Sequence, residues 1–413
     1  MKICLISNLF PPYNRGGAEQ VVLNTLYGLK DRGHEVFIIT ARPWGGTGQG
    51  NETERIYRFF PLNLFFYGHD YKYPRLVRFF WHVFDTFNLQ SFFLVKRILR
   101  REKPDLVHTH NLKGLGYLIP LAIRSLKLRQ VHTLHDVQLV NPSGIIIKGA
   151  ERRPGLAGLF LAAYSEICRK LFGSPEVVIS PSKFLLSFYE ERGFFPGSQK
   201  VVIPNPVIES APVNQNLQPA PYRAVGSGAG SEIYNPQSFT FLYLGQIEEH
   251  KGVLFLIAIF KNLSAQLGDA KLYIVGAGSK LPEAQRMARG FNQIIFRGKV
   301  ERASLPEIFS QADLTIVPSL CYENSPTVIF ESFSYGVPVL ASDIEGVAEV
   351  IKDGVHGFTF LTGEARDLAA KLLFCLDNID KIRGMRGAAR ASVEGLGLEP
   401  YLTKLLELYT ASA

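Results

Sequence analysis

Short, dense apolar runs alternate along this chain with longer stretches whose apolar residues recur at helical spacing. In the first half the runs cover 2–7, 35–40, 106–109, 130–134, 177–180 and 201–203, each bounded by turn-forming or charged residues. Runs that are apolar on both faces predict strands of a parallel sheet covered by helices on both sides. Between the first two, Val21, Val22, Leu26 and Leu29 share one face of a helix predicted over 18–32 and stopped by Gly33. That strand, helix and strand form a βαβ unit, the start of a doubly wound domain.

The pattern collapses over 207–238, where Pro212, Pro219, Pro221 and Pro236 sit with Gly226, Gly228 and Gly230 among polar residues. Such composition predicts a linker or an exposed insertion. Strand-like runs then return at 239–244, 271–275, 293–296, 314–317 and 337–341, and a last amphipathic helix covers 401–409. The expected organisation is an α/β domain over 1–206, a linker over 207–238 and a second α/β domain over 239–396. The final helix, within about 397–413, packs back on the first domain. At 413 residues the chain is too long for one core, which agrees with two. Two such sheets set face to face would enclose a deep cleft at their strand ends, where ligands bind in this architecture.

Composition changes this picture little: 46% of residues are hydrophobic and 20% charged, as in ordinary globular proteins. No apolar run approaches the roughly 20 residues of a membrane-crossing helix, and residues 2–8 read as a strand entering a turn rather than a signal peptide. Cys4, Cys168, Cys321 and Cys375 are scattered without metal-ligand spacing, so reduced thiols and a cytoplasmic location are expected. Charge adds more. Residues 1–206 carry 27 Lys and Arg against 15 Asp and Glu, and the remainder 18 against 22. The basic half suits an anionic partner: nucleic acid, an anionic membrane or a phosphorylated acceptor.

The stretch with the most chemistry is 317–341. A strand ends at Pro318-Ser319, a loop carries Glu323, and Asn324 or Ser325 is placed to cap a helix with Pro326 in its first turn. Glu331 lies in that helix, eight positions after Glu323, and Gly336 ends it. Unpaired N–H groups at a helix start suit a diphosphate, and a carboxylate on the helix suits the two hydroxyls of a ribose. Taken alone, two acids near a helix start are better explained as solvated surface positions.

Their setting is specific. The segment resembles the Glu-x7-Glu signature of retaining glycosyltransferase family 4, whose fold is GT-B. The resemblance extends over most of the chain through Phe10-Pro11-Pro12, Gly16-Gly17-Ala18-Glu19, His110, His135-Asp136, Pro204-Asn205, Gly245 to Lys251-Gly252, Val275 to Gly278, and Asp353-Gly354 with Gly357. It implies a GT-B pair of Rossmann-like domains. Glu331 would hold the donor ribose, Glu323 the transferred sugar, and the amides of Thr327 and Val328 the diphosphate. Lys251 and the Gly245-Gln246 turn would also face the diphosphate, Lys251 as the cation that stabilises the departing phosphate. Gly16 and Gly17 would lie near donor phosphate and acceptor. His135 would position the sugar, with His110 nearby on the acceptor side; His108 and His132 are expected to pack in or beside strands. Without that context Gly16-Gly17 is a tight turn, Lys251 a solvated lysine and His135 a structural strand-end residue.

One position departs from the family. Gln246 stands where an arginine is usual, and an amide brings neither charge nor a guanidinium fork. No Asp-x-Asp occurs, so the resemblance implies transfer without a metal or other cofactor, Lys251 and helix amides supplying the positive charge. The expected partners are a nucleotide-sugar donor and a sugar or lipid-linked acceptor such as a glycolipid or polysaccharide precursor.

Between Tyr57 and Phe93, 15 of 37 residues are aromatic, interleaved with Arg58, Lys72, Arg75 and Arg78. Phe79, Phe80, Trp81, Phe84 and Phe87 are expected on one helix face. Rings with cations suit an anionic membrane interface, single-stranded nucleic acid, or packing under the first domain's outer helices. No nucleic-acid motif accompanies them, so peripheral attachment to a membrane is the expected functional use. Two rival readings share the architecture: a nucleotide-sugar 2-epimerase, and a non-catalytic module binding sugar nucleotides or membrane. A Rossmann dehydrogenase fits worst, lacking the glycine fingerprint and its downstream acid.

Overall fold

The computed structural model describes residues 1–13, 16–46, 55–151, 155–207 and 238–411. The linker expected at 207–238 therefore lies outside the described residues except for Val207 and Ser238. The described chain divides into two compact units. Unit 1 comprises Met1–Ile146, Ala150–Pro206 and Leu398–Ala413; unit 2 comprises Ile147–Gly149 and Val207–Gly397.

Unit 1 is a seven-stranded sheet of β1 (Lys2–Ile6), β2 (Glu35–Ala41), β3 (Ile56–Phe59), β4 (Leu106–Thr109), β5 (Arg129–Thr133), β6 (Val177–Ser180) and β7 (Gln199–Val202). Its order is β3-β2-β1-β4-β5-β6-β7, and every pairing is parallel. The helices are α1 (Gly17–Asp31), α2 (Arg75–Thr86), α3 (Leu89–Glu102), α4 (Ile119–Ser125), α5 (Leu156–Phe172) and α6 (Lys183–Glu190). Ile3, Leu5, Leu106, Val131 and Val177 from the strands meet Val22, Leu26 and Leu29 of α1 in one buried cluster.

Unit 2 repeats the plan with six strands: β8 (Thr240–Leu244), β9 (Lys271–Val275), β10 (Ile294–Gly298), β11 (Leu314–Val317), β12 (Val339–Asp343) and β13 (Gly357–Leu361). They are all parallel, in the order β10-β9-β8-β11-β12-β13. Its helices are α7 (Val253–Asn262), α8 (Leu281–Met287), α9 (Leu305–Ser310), α10 (Thr327–Ser334), α11 (Ala365–Asp377), α12 (Ile379–Gly384) and α13 (Arg386–Ala391).

The last helix, α14 (Leu398–Thr410), belongs to unit 1. Tyr401, Leu402, Leu405 and Tyr409 are buried in the same cluster as α1. Burial of each such side chain stabilises by roughly 1.5–3 kcal/mol. Gly28 makes the close approach possible, because a Cβ there would collide with the Leu402 side chain.

Two strands lie where the hydrophobic pattern predicts none. β3 is half-buried along its length, and β13 opens on a glycine; both are the last strands at their sheet edges, with less apolar surface to show. β12 begins at Val339, two residues later than expected, and the strand expected at 293–296 runs Ile294–Gly298.

Candidate functional site

In a doubly wound sheet, ligands gather where the strand order reverses. In unit 2 that point lies between β8 and β11, and in unit 1 between β1 and β4. The loops leaving β8 and β11 carry Gly245–Lys251 and Pro318–Glu323, while those leaving β1 and β4 lead to Gly16 and His110. Topology alone thus collects most of the candidates at two places.

In unit 2 the loop after β8 is held down by backbone bonds. Gly245 N donates to Val275 O (3.0 Å) and Ile247 N to Ala277 O (2.9 Å). It turns at Gly252, φ +72°, where a Cβ would collide with the Pro318 carbonyl oxygen. Glycine is required there twice over, by its left-handed backbone and by close approach. The turn brings Lys251 to the end of β11: Lys251 Nζ lies 2.6 Å from Glu323 Oε1, and Ser319 Oγ donates to the same oxygen at 2.7 Å. Gly346 makes the matching approach from the other side, since its Cβ would meet the Glu323 carbonyl. Burial works against the charge on Lys251, but the Glu323 carboxylate outweighs it and holds the lysine pKa above its ordinary value.

Helix α10 starts without a side-chain cap. Pro326 itself occupies the N-cap position, with φ −65° and ψ 114°, which corrects the expected capping by Asn324 or Ser325. Both residues instead bury polar atoms that have no hydrogen-bond partner, Asn324 Nδ2 and Ser325 Oγ. Buried polar atoms are normally satisfied, so two orphans beside an uncapped helix start suit a ligand rich in acceptor oxygens. Thr327 and Val328 form the first turn, and Glu331 follows one turn on. The Glu331 carboxylate meets Arg302 at 3.0 Å. Gly245 and Gln246 are exposed at the rim, where the Gln246 carbonyl accepts from Tyr243 Oη (2.6 Å).

Unit 1 answers with histidines. His108 lies in β4 and His132 in β5, both buried, as expected. His108 bonds Tyr409 Oη through Nδ1 (2.5 Å) and Thr133 Oγ1 through Nε2 (2.7 Å), which ties α14 into the sheet. Just beyond the strands, His110 Nδ1 and His135 Nε2 share a hydrogen bond of 3.0 Å, while His110 Nε2 is buried with no partner. Burial lowers the pKa of His135 to about 4. Burial, aided by its histidine neighbours, holds His110 well below the usual range. Both rings are therefore neutral near pH 7, and one donates to the other. Gly16 caps α1 and Gly17 begins it; the Gly16 amide donates to Glu19 Oε2 at 2.9 Å. Sequence reasoning did not find Arg302, Ser319 or Glu19 as partners. Arg302 is joined to its carboxylate only by the fold, whereas Ser319 lies four residues before Glu323 in the same loop and Glu19 three residues after Gly16 was legible as a capping spacing.

Among the described residues no group of histidine, cysteine and carboxylate side chains has the arrangement of a metal site. The four cysteines are free and buried. Among these residues no helix is long and apolar enough to cross a membrane.

Two family models match the chain: "Glycosyltransferase Family 4" over residues 15–210 and "Glycosyl transferases group 1" over 238–378. This chain is a glycosyltransferase of the family 4 type, with the GT-B fold. It is 22% identical to an uncharacterized 42.6 kDa protein in the cps region of Klebsiella pneumoniae, over 85% of this chain and 87% of that one. A lipopolysaccharide 1,2-N-acetylglucosaminetransferase of Salmonella typhimurium is 28% identical over 58% of this chain and 64% of its own. Among solved structures, Anabaena Alr3699/HepE in complex with UDP superposes over all of both chains with a TM-score of 0.69 at 17% identity. The glycosyltransferase therefore has the two Rossmann-like domains read from its sequence.

Proposed function

We propose that this glycosyltransferase binds a nucleoside diphosphate sugar in unit 2 and transfers the sugar, with retention of anomeric configuration, to a lipid-linked acceptor at an anionic membrane surface. The observation that carries the donor assignment is the convergence at the β8–β11 switch point: Lys251 fixed on Glu323, next to an uncapped helix whose flanking polar atoms lack partners. A diphosphate fits that set. Its oxygens would accept from Lys251, Asn324, Ser325 and the first amides of α10, and Glu331 would take the ribose hydroxyls once it exchanges Arg302. With no Asp-x-Asp to hold a divalent ion between protein and diphosphate, these groups carry the leaving-group charge in our reading. The similar Anabaena structure that holds UDP and the similar Salmonella enzyme that acts on lipopolysaccharide support donor and acceptor classes of this kind.

Retention follows in this reading from a front-face path. The bond between the anomeric carbon and the phosphate oxygen breaks, the acceptor oxygen attacks from the same face, and the acceptor proton passes to the departing phosphate. His135, neutral through burial, orients the sugar by a hydrogen bond rather than by charge. Incubation with UDP-, GDP- and ADP-sugars and a bacterial lipid extract, with NMR of the purified product, tests the proposal. One donor class should yield a glycolipid of unchanged anomeric configuration. Sugar released as an epimer without acceptor, or an inverted product, would contradict it.

A further inference from the structure

Helix α2 is built inside out. Leu76, Phe79, Phe80, Val83, Phe84 and Phe87 recur at i, i+3, i+4, i+7, i+8 and i+11, a single apolar stripe, which normally faces a core. Here the stripe faces outward, its residues between 40% and 69% exposed. The inward face is the polar one: Asp85 and Thr86 are buried there with Trp81, and Asn88, which caps α3 just beyond, is buried too. Trp81, expected on the same face as Phe79, Phe80, Phe84 and Phe87, instead points the other way, its Nε1 donating to Phe65 O at 2.8 Å. Asp85 Oδ2 accepts from Gly114 N (2.8 Å) and Asn88 Nδ2 donates to Leu62 O (3.1 Å). These bonds fix the roll of the helix, so the apolar stripe cannot turn inward without breaking them.

The exposed surface continues onto neighbouring helices. Phe79 meets Phe160 of α5 with ring centroids 5.2 Å apart, and α5 opens with Leu156 and Leu159 at 86% and 69% exposure. Leu89 and Phe93 of α3 are 62% and 64% exposed. Lone exposed apolar residues are common; a three-helix apolar surface marks an interaction site.

Charge identifies the partner. From Arg75 to Lys103 there are seven basic residues and two acidic ones. Neither acid is displayed: Asp85 is buried, and Glu102 is bound by Lys2 (2.9 Å) and Tyr57 (2.5 Å). Arg97 and Arg100 are exposed towards the end of α3, and Arg101 beside them is bonded to Glu102 and Tyr57. Two copies facing each other across this surface would oppose like charges, whereas an anionic bilayer offers both an apolar interior for the rings and headgroups for the cations. We infer that the outward face of α2, extended by the first turns of α3 and α5, is the surface by which this enzyme lies on an anionic lipid bilayer.

The inner side of α2 gives this docking a purpose, which rests on the lipid-acceptor reading. Asp85 and Tyr67 hold the loop that leaves β4 just after His110: Gly114 donates to Asp85, and Lys113 lies over the Tyr67 ring at 5.1 Å. A helix seated in the headgroup layer brings that loop, and His110 with it, to the level where a lipid-borne sugar is presented.

The test is co-sedimentation of the full chain with vesicles of phosphatidylcholine alone or mixed with phosphatidylglycerol. The wild type should bind the anionic vesicles, and F80S/F84S should bind at least about tenfold more weakly. Leu361→Ser, an exposed apolar position in unit 2, should bind as wild type, and all three proteins should keep nucleotide binding and far-UV circular dichroism. Equal binding by F80S/F84S, no vesicle binding by the wild type, or a wild-type dimer lost in F80S/F84S with no vesicle partition would each overturn the inference. Vesicle binding combined with transfer only to water-soluble acceptors would remove the lipid-acceptor reading while supporting this surface.

Discussion

At the switch point of unit 1 the chemistry is neutral and buried; at that of unit 2 it is charged and paired. His110 and His135 share a proton-bearing hydrogen bond without either ring being cationic, whereas Lys251 and Glu323, and Arg302 and Glu331, hold full opposite charges at the strand ends. The same sheet topology therefore supplies two different electrostatic surfaces. A diphosphate needs compensating positive charge, and unit 2 stores it as ion pairs that a donor can open. A sugar hydroxyl needs a directed hydrogen bond, for which a desolvated neutral imidazole is suited.

The sharpest way to break this contrast is Lys251→Ala. Loss of the cation should lower kcat/KM for transfer by about 100- to 1000-fold, read from initial rates at a temperature where the variant is folded, since Glu323 loses its ion-pair partner. A loss within about threefold would place the leaving-group charge elsewhere.

Next in size is the histidine pair. His135→Ala should reduce kcat by about 10- to 100-fold, and no limb of the wild-type rate profile near pH 6.5 should belong to this ring, because burial holds His135 at about 4. The sign also bears on stability. The native ring binds its proton less readily than the unfolded one, so its contribution is complete above about pH 6.5 and is lost as pH falls towards 4. A rate limb at pH 6–7 that disappears in His135→Ala would show a histidine that titrates in the working range.

Asp85 sharpens the contrast from inside unit 1. Burial pushes its carboxyl up to about 7, against the Gly114 hydrogen bond and Lys113, which favour the charge. Because the folded value exceeds the unfolded one, the native state gains stability as pH falls through 7 and carries the full cost of the charge above it. Asp85→Asn should therefore raise stability at pH 8 by about 1–3 kcal/mol and flatten its pH dependence between 5 and 8, as followed by thermal unfolding. The smallest change is expected from Arg302→Ala, which frees Glu331 and should alter nucleotide affinity by only about threefold, with kcat unchanged.

How far the sequence reveals these features depends on what each signal requires. The core strands of both sheets are legible because strands buried on both faces must be apolar throughout. β3 and β13, at the edges, carry half-buried or glycine-led sequences and escape that rule. Lys251, Glu323 and Glu331 are legible through spacing on strand-end loops and one helix. Arg302 is not, since 29 residues separate it from Glu331 and only the fold joins them. The placing of Trp81 on the face of the phenylalanines fails for a related reason. Periodicity shows that Phe79, Phe80, Phe84 and Phe87 share a face, but Trp81 lies opposite them, and which face is inward depends on the bonds made by Trp81, Asp85 and Asn88. The Arg75 side chain, expected beside those rings, lies outside what is described.

The most direct test of the donor site is calorimetric titration of UDP, GDP and ADP into the wild type and Glu331→Ala. The account predicts that one nucleotide binds the wild type and binds the variant at least about tenfold more weakly, roughly 1.4 kcal/mol. Equal affinity for the variant, or no binding of any of the three, would contradict the placing of the donor at the α10 end of unit 2.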